Sequence, residues 1–232
     1  MSAAKRVILS WSSGKDSAWT LYMLQQDPDV EVLALLTTFN AAHDRVAMHS
    51  VRHSLVRQQA AAAGLPLVAV PLPWPCSNAQ YETLMSQTME QLQRDFAPTH
   101  MAFGDLFLED IRDYRLRQMQ ESGLACLFPL WQQDTGVLAD AMIMAGLKAI
   151  LSCVDPKQLE PRFCGRSFDR ALLDGLPDAV DPCGENGEFH TFVRAGPMFN
   201  NAIAVRVGET VQRDGFVFTD VLPRDGDATI AE

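Results

Sequence analysis

The chain has 232 residues, 47% of them hydrophobic, enough for one sizeable core and a small second lobe. Acidic residues outnumber basic ones, 29 to 19, and the net charge of -10 is the reverse of what neutralising nucleic-acid phosphates requires. Five scattered cysteines (Cys76, Cys126, Cys153, Cys164, Cys183) form no C-x-x-C pair, which argues against zinc, thioredoxin-type and iron–sulfur sites.

Taken in chain order, short apolar runs alternate with amphipathic segments. Val7 to Leu9 predicts a strand, Ser17 to Gln26 a helix, and Val30 to Thr38 a buried strand. A helix follows over Ser50 to Ala63, stopped by Gly64 as C-cap, then a strand over Leu67 to Val70. Ser77 to Phe96 predicts a long helix, with Ser77 or Asn78 as its N-cap. Strand His100–Phe103, helix Ile111–Glu121, strand Leu124–Leu127, helix Thr135–Ala145 and strand Leu147–Val154 complete the alternation. Six alternations imply βαβ crossovers: a doubly wound, mostly parallel α/β sheet with helices on both faces. Ligands in such sheets bind beyond the carboxyl ends of the strands.

Proline and glycine become frequent after Cys153, and Asp214-Gly215 reads as a hairpin turn between Thr210-Val211 and Val217-Phe218. The expected division is an α/β domain over residues 1–154 and a smaller α+β lobe over 155–232. The N-terminus runs directly from Lys5-Arg6 into a short strand, too brief for a signal-peptide core, and no apolar run approaches the roughly 18 residues of a membrane span. A cytoplasmic protein without membrane contact is expected.

Chemistry concentrates first in Ser10-Trp11-Ser12-Ser13-Gly14-Lys15-Asp16-Ser17, which joins a strand to a helix N-terminus. Amides and hydroxyls converging there make an anion site. Lys15 adds a positive charge, and Asp16 is placed to hold a magnesium ion between phosphate oxygens. The loop has neither Walker A glycine spacing nor a G-x-G-x-x-G fingerprint. A plain serine cap is the bland alternative.

Ser12 to Ser17 resembles the S-G-G-x-D-S loop of PP-loop ATP pyrophosphatases, with Ser13 where the pattern has glycine. A serine there still offers its amide, provided the position does not demand positive φ. Met48-His49, Gln59 to Pro66, Phe103-Gly104-Asp105, Tyr114-Arg115 and Pro129-Leu130-Trp131 follow in family order. Cys183-Gly184-Glu185-Asn186-Gly187-Glu188-Phe189-His190-Thr191-Phe192, with Gly196-Pro197-Met198-Phe199 after it, is similar to the C-G-E-x-G-E-[FY]-x-T-[FL] signature of the diphthine–ammonia ligase family. The lengthened stretch from Asp105 to Asp113, and Arg115 where the archaeal and eukaryotic form has glutamine, resemble a bacterial-type branch.

That resemblance implies an ATP- and magnesium-dependent ligase that adenylates an acceptor carboxylate, releases pyrophosphate and forms an amide with ammonia. It implies nucleotide contacts from Ser10 to Ser17 and from Thr37, His49, Gly104 and Asp105. Substrate contacts are expected from Tyr114, Glu185, Asn186, Glu188, His190 and Thr191, with Lys15, Asp16 and Glu188 catalytic. The expected partners are a small-molecule or protein side-chain acceptor and ammonia, with a homodimer left open. A tRNA-thiolation-type enzyme and a non-catalytic nucleotide sensor remain as other readings.

Other polar groups have plainer expectations. His49 and His53 share a helix face as a zinc pair would, but no third ligand appears at a sensible spacing. Arg52, Arg57, Arg112, Arg115 and Arg117 read as solvated helix faces.

Overall fold

Alternating burial in the first strand divides the molecule between two cores. Residues 4–46 and 50–224 are described by the computed structural model. Strand β1 (Lys5–Ser10) sends Val7 and Leu9 into one core and Ile8 into the other, so it runs inside a sheet covered on both faces. It lies parallel to β2 (Val30–Asn40) and β5 (His100–Ala102). Parallel β4 (Leu67–Leu72) flanks β2 and parallel β6 (Ala125–Leu127) flanks β5, giving the order β4-β2-β1-β5-β6. A two-residue antiparallel strand, β3 (Arg45–Val46), turns back onto the end of β2. No periodicity predicts so short an element.

Helices α1 (Lys15–Gln26), α2 (His53–Ala63) and α5 (Thr135–Met144) pack on the Val7/Leu9 face. Helices α3 (Asn78–Phe96) and α4 (Glu109–Ser122) cover the Ile8 face. Local chemistry sets their ends. The Ser77 hydroxyl accepts from the Gln80 amide at 3.3 Å while the Gln80 side chain accepts from the Ser77 amide at 2.9 Å, a reciprocal cap. Gly64 closes α2 at φ 68, the left-handed geometry that favours glycine. Helix α2 begins at His53, later than the expected Ser50.

The last strand of the alternation breaks from expectation. Strand β7 (Lys148–Val154) does not extend the parallel sheet; it lies inside a second, antiparallel one. There it pairs with β8 (Ser167–Phe168), β9 (Phe189–Ala195) and β11 (Phe216–Pro223), and β11 pairs in turn with β10 (Val205–Arg213). All residues of β7 after Lys148 are buried. Such a run reads alike as a central parallel or a central antiparallel strand. The β10–β11 turn is the expected one: Asp214 at φ 52 and Gly215 at φ 86 have the double positive φ of a type I′ hairpin.

Asp220 of β11 reaches across to the first sheet, accepting from Arg45 at 2.9 Å and Arg52 at 2.6 Å. Arg52 is therefore no solvated face residue. No helix among the described residues is long and apolar enough to cross a membrane.

Candidate functional site: a serine loop and a glycine-jointed loop on one cavity

With β1 ending at Ser10 and α1 starting at Lys15, four residues make the turn. The Ser12 hydroxyl accepts from the Gly14 amide at 3.3 Å and bonds the Ser17 hydroxyl at 3.1 Å; that hydroxyl donates to the Gly14 carbonyl at 3.0 Å. Ser13 has φ 74. The position does demand positive φ, so serine carries a left-handed cost of about 1–2 kcal/mol that glycine avoids. Its buried hydroxyl has no hydrogen-bond partner. The loop is held from outside instead. Gln59 of α2 donates to the Ser13 carbonyl at 3.0 Å, the Val193 amide of β9 donates to the same oxygen at 3.0 Å, and the Lys15 amide donates to the Thr191 hydroxyl at 3.0 Å.

The Lys15 ammonium is 2% exposed and paired with its neighbour Asp16. It donates to both Asp16 carboxylate oxygens at 2.8 Å and to the Cys183 carbonyl, and it sits 5.5 Å from the centre of the Phe189 ring. Burial pulls its pKa down, but the neighbouring Asp16 carboxylate outweighs that and holds it above the ordinary value. Lys15 thus bridges the two loops.

Both loops open onto a cavity of about 430 Å³, within the usual range for ligand pockets. The serine loop contributes Ser10, Trp11, Ser12, Lys15, Asp16 and Ser17, and β2 contributes Thr37. Gly104 and Asp105 come from the loop after β5. A Cβ on Gly104 would lie 2.9 Å from the Asp16 carbonyl carbon, so only glycine allows this approach. Asp105 Oδ2 is buried without a hydrogen-bond partner and 3.7 Å from Arg115 Nε; burial raises the Asp105 pKa. Arg115 lines the cavity with its guanidinium 5.0 Å from the centre of the Phe103 ring, and Arg112 lies over Trp131 at 4.6 Å. Neither fits the expected solvated face.

The two signature acids separate. Glu185 lines the cavity, accepting from the Leu106 amide at 2.8 Å. Burial first, with a contribution from the charge on Asp16, pushes its pKa up to about 7. Glu188 turns inward: it accepts from the Asp181 amide at 2.9 Å and the Asn186 side chain at 3.1 Å, and it does not line the cavity. Its Oε1 thereby braces its own loop, while its Oε2 is buried without a hydrogen-bond partner. Asn186 is exposed, and the Tyr114 hydroxyl accepts from the Gln118 side chain at 2.7 Å; neither Asn186 nor Tyr114 lines the cavity, whereas His190 and Thr191 do. Ser13 and Gly14 shape the loop without lining it. His49 lies outside the described residues. His53 stacks on Phe39, with ring centres 4.2 Å apart.

Sequence reasoning missed Gln59 as a functional side chain. Its signal is a lone amide among the apolar, helically spaced Leu55, Val56, Ala60 and Ala62. Arg115 was hidden because the charge pattern does not say which way a helix faces.

A Ser/Gly/Asp loop feeding a helix N-terminus, at the carboxyl end of a parallel sheet with helices on both faces, defines a nucleotide-binding α/β protein of the PP-loop type. Residues 5–125 match the diphthamide synthase N-terminal domain and residues 134–220 the diphthamide synthase C-terminal domain. The chain belongs to the diphthamide synthase family. It is 28% identical over 218 residues to a diphthine–ammonia ligase of Schizosaccharomyces pombe, covering 87% of this chain and 36% of that protein. It is 28% identical over 237 residues to a diphthine–ammonia ligase of Danio rerio (93% of this chain, 92% of the relative). A Bos taurus diphthine–ammonia ligase is 25% identical over 240 residues, 93% of this chain and 88% of the relative.

Proposed function

We propose that the chain is an ATP-dependent ligase that adenylates an acceptor carboxylate and converts it, with ammonia, to an amide. One observation carries this reading: the serine loop, Asp16, Asp105, Arg115 and Glu185 share one cavity. ATP is a co-substrate, with its phosphates at the serine loop and the α1 N-terminus, where backbone N–H groups favour negative charge. The acceptor carboxylate, oriented by Arg115, bonds to the α-phosphorus as pyrophosphate departs. Ammonia then attacks the activated carbonyl, AMP leaves, and Glu185 takes the proton that nitrogen sheds. A carboxyl group with pKa about 7 suits that task at neutral pH.

No preassembled group of three metal-binding side chains exists among the described residues. Magnesium commonly binds one or two carboxylates together with substrate phosphates. The buried Asp105 Oδ2, which faces Arg115 at 3.7 Å but makes no hydrogen bond, fits a cation, so Asp16 and Asp105 would hold the ion, which neutralises phosphate charge when bound. Burial pushes the Cys183 thiol up to about 12, which leaves it a poor nucleophile and disfavours the thiolation-type reading.

Pyrophosphate release and ¹⁵N-ammonium incorporation test the proposal. ATP, magnesium and fractionated acceptors are supplied, beginning with diphthine-bearing protein because diphthine is in the relatives' name. Release together with nitrogen transfer is expected. ATP binding without release in any fraction would return the chain to a nucleotide sensor.

A further inference from the structure

We infer that Gln59 is a positioning residue for the phosphate loop: the loop's receptive shape is imposed by a hydrogen-bonded latch from α2 and β9. Gln59 is fully buried and uses three of its four hydrogen-bonding sites. Its Oε1 accepts from the Trp11 indole at 2.9 Å; its Nε2 donates to the carbonyls of Ser13 at 3.0 Å and Val193 at 2.7 Å. The amide orientation is fixed by its partners, because the indole only donates and the two carbonyls only accept.

The Val193 amide closes the ring by donating to the same Ser13 carbonyl at 3.0 Å. Two bonds therefore converge on the one loop residue that sits left-handed without being glycine. Packing does not call for an amide here, since the neighbouring Leu55, Val56 and Ala60 are buried apolar groups. A buried amide is costly unless bound, and all of its bonds go to the loop and to β9. The same strand carries Thr191, which caps the Lys15 amide. The strand that follows the glycine-jointed loop thus also sets the shape of the serine loop.

The latch predicts coupling between positions 59 and 13. Glycine at 13 accepts positive φ unaided, so the latch matters less once Ser13 is replaced. The test uses the full chain as wild type, Q59M, S13G and the double variant, with thermal melting and calorimetric titration of magnesium pyrophosphate. Q59M should weaken pyrophosphate binding by about 10- to 100-fold, the effect of losing two or three buried hydrogen bonds. The double variant should recover most of that affinity, and Q59M should lower the melting temperature less in the S13G background than alone. Equal losses in both backgrounds would overturn the latch, as would unchanged binding in Q59M. If Q59M alone does not fold, the double variant decides: folded, it supports the latch; unfolded, it assigns Gln59 to the core. The ligand arm rests on the nucleotide site proposed above. A wild type that binds no pyrophosphate would count against that site alone, because the melting cycle reads the latch without ligand.

Discussion

The two loops that meet at the cavity are held by different means. The serine loop, from Ser10 to Ser17, adds to its own serine hydroxyl bonds a set from elsewhere: Gln59, Thr191 and Val193 hold it from α2 and β9. The glycine-jointed loop, from Cys183 to Thr191, meets Lys15 and the Leu106 amide and is also braced by acids of its own neighbourhood, Glu188 on the Asp181 amide and Asp181 on the Cys183 amide at 2.6 Å. Gly184, at φ 69, lies against the Phe189 carbonyl, where a Cβ would be 2.8 Å away. A loop that braces itself can spend one acid on its own architecture and present another to the ligand. Two acids three residues apart in one motif then have different duties.

The largest expected effect tests that division. Glu185→Gln should lower kcat by about 10²–10⁴-fold while leaving ATP affinity nearly intact, read by turnover and calorimetry. It should also abolish a rise in activity with pH centred near 7. The stability sign is opposite to that of most carboxylates. The folded carboxyl keeps its proton to about pH 7, while the ordinary value is 4.5, so its contribution is full below 4.5 and lost as pH rises through 7. The variant should therefore melt higher than wild type at pH 8, with the gap narrowing toward pH 5.

Asp16→Asn comes next. The substitution removes the counter-charge of a buried ammonium, leaving it an amide oxygen, the Cys183 carbonyl and the Phe189 ring, and breaking such a pair costs about 3–5 kcal/mol. Asp16 is not a freely exchangeable loop residue: the variant should lose both pyrophosphate release and several degrees of melting temperature. Adding Lys15→Met should restore melting but not turnover. Restored turnover would remove Asp16 from the chemistry.

Glu188→Ala should cost about 1–3 kcal/mol of stability by leaving the Asp181 amide unbonded, with ATP affinity close to wild type in calorimetry. A variant of normal stability without turnover would reinstate Glu188 as a catalytic acid and erase the contrast between the two acids. The smallest effect belongs to Ser13→Gly, worth about 1 kcal/mol and roughly 2–4 °C of melting temperature in a chain of this size.

Much of this architecture was legible in the sequence because local chemistry writes it. The alternation of strands and helices, the Gly64 stop, the Ser77 cap and the Asp214-Gly215 hairpin each follow from groups a few residues apart. The partners of β7 were not legible, since uniform burial erases the period that separates one kind of sheet from the other. Nor was the sidedness of Glu185 and Glu188. Three-residue spacing fixes a face only on a helix, and a glycine-jointed loop has no period. Gln59 escaped because its partners, Trp11, Ser13 and Val193, lie far away in sequence.

The placement of β9 also has a consequence for the order of events as the chain is made. The parallel sheet is complete once β6 has emerged at Leu127, but the carbonyl and amide of Val193 arrive roughly 65 residues later. At the usual elongation rate of about 5–20 residues per second, that is a delay of several seconds. During it a nascent chain carries a closed sheet with an unset serine loop. On the latch and the nucleotide site proposed above, ATP capture waits until the strand that follows the glycine-jointed loop has left the ribosome.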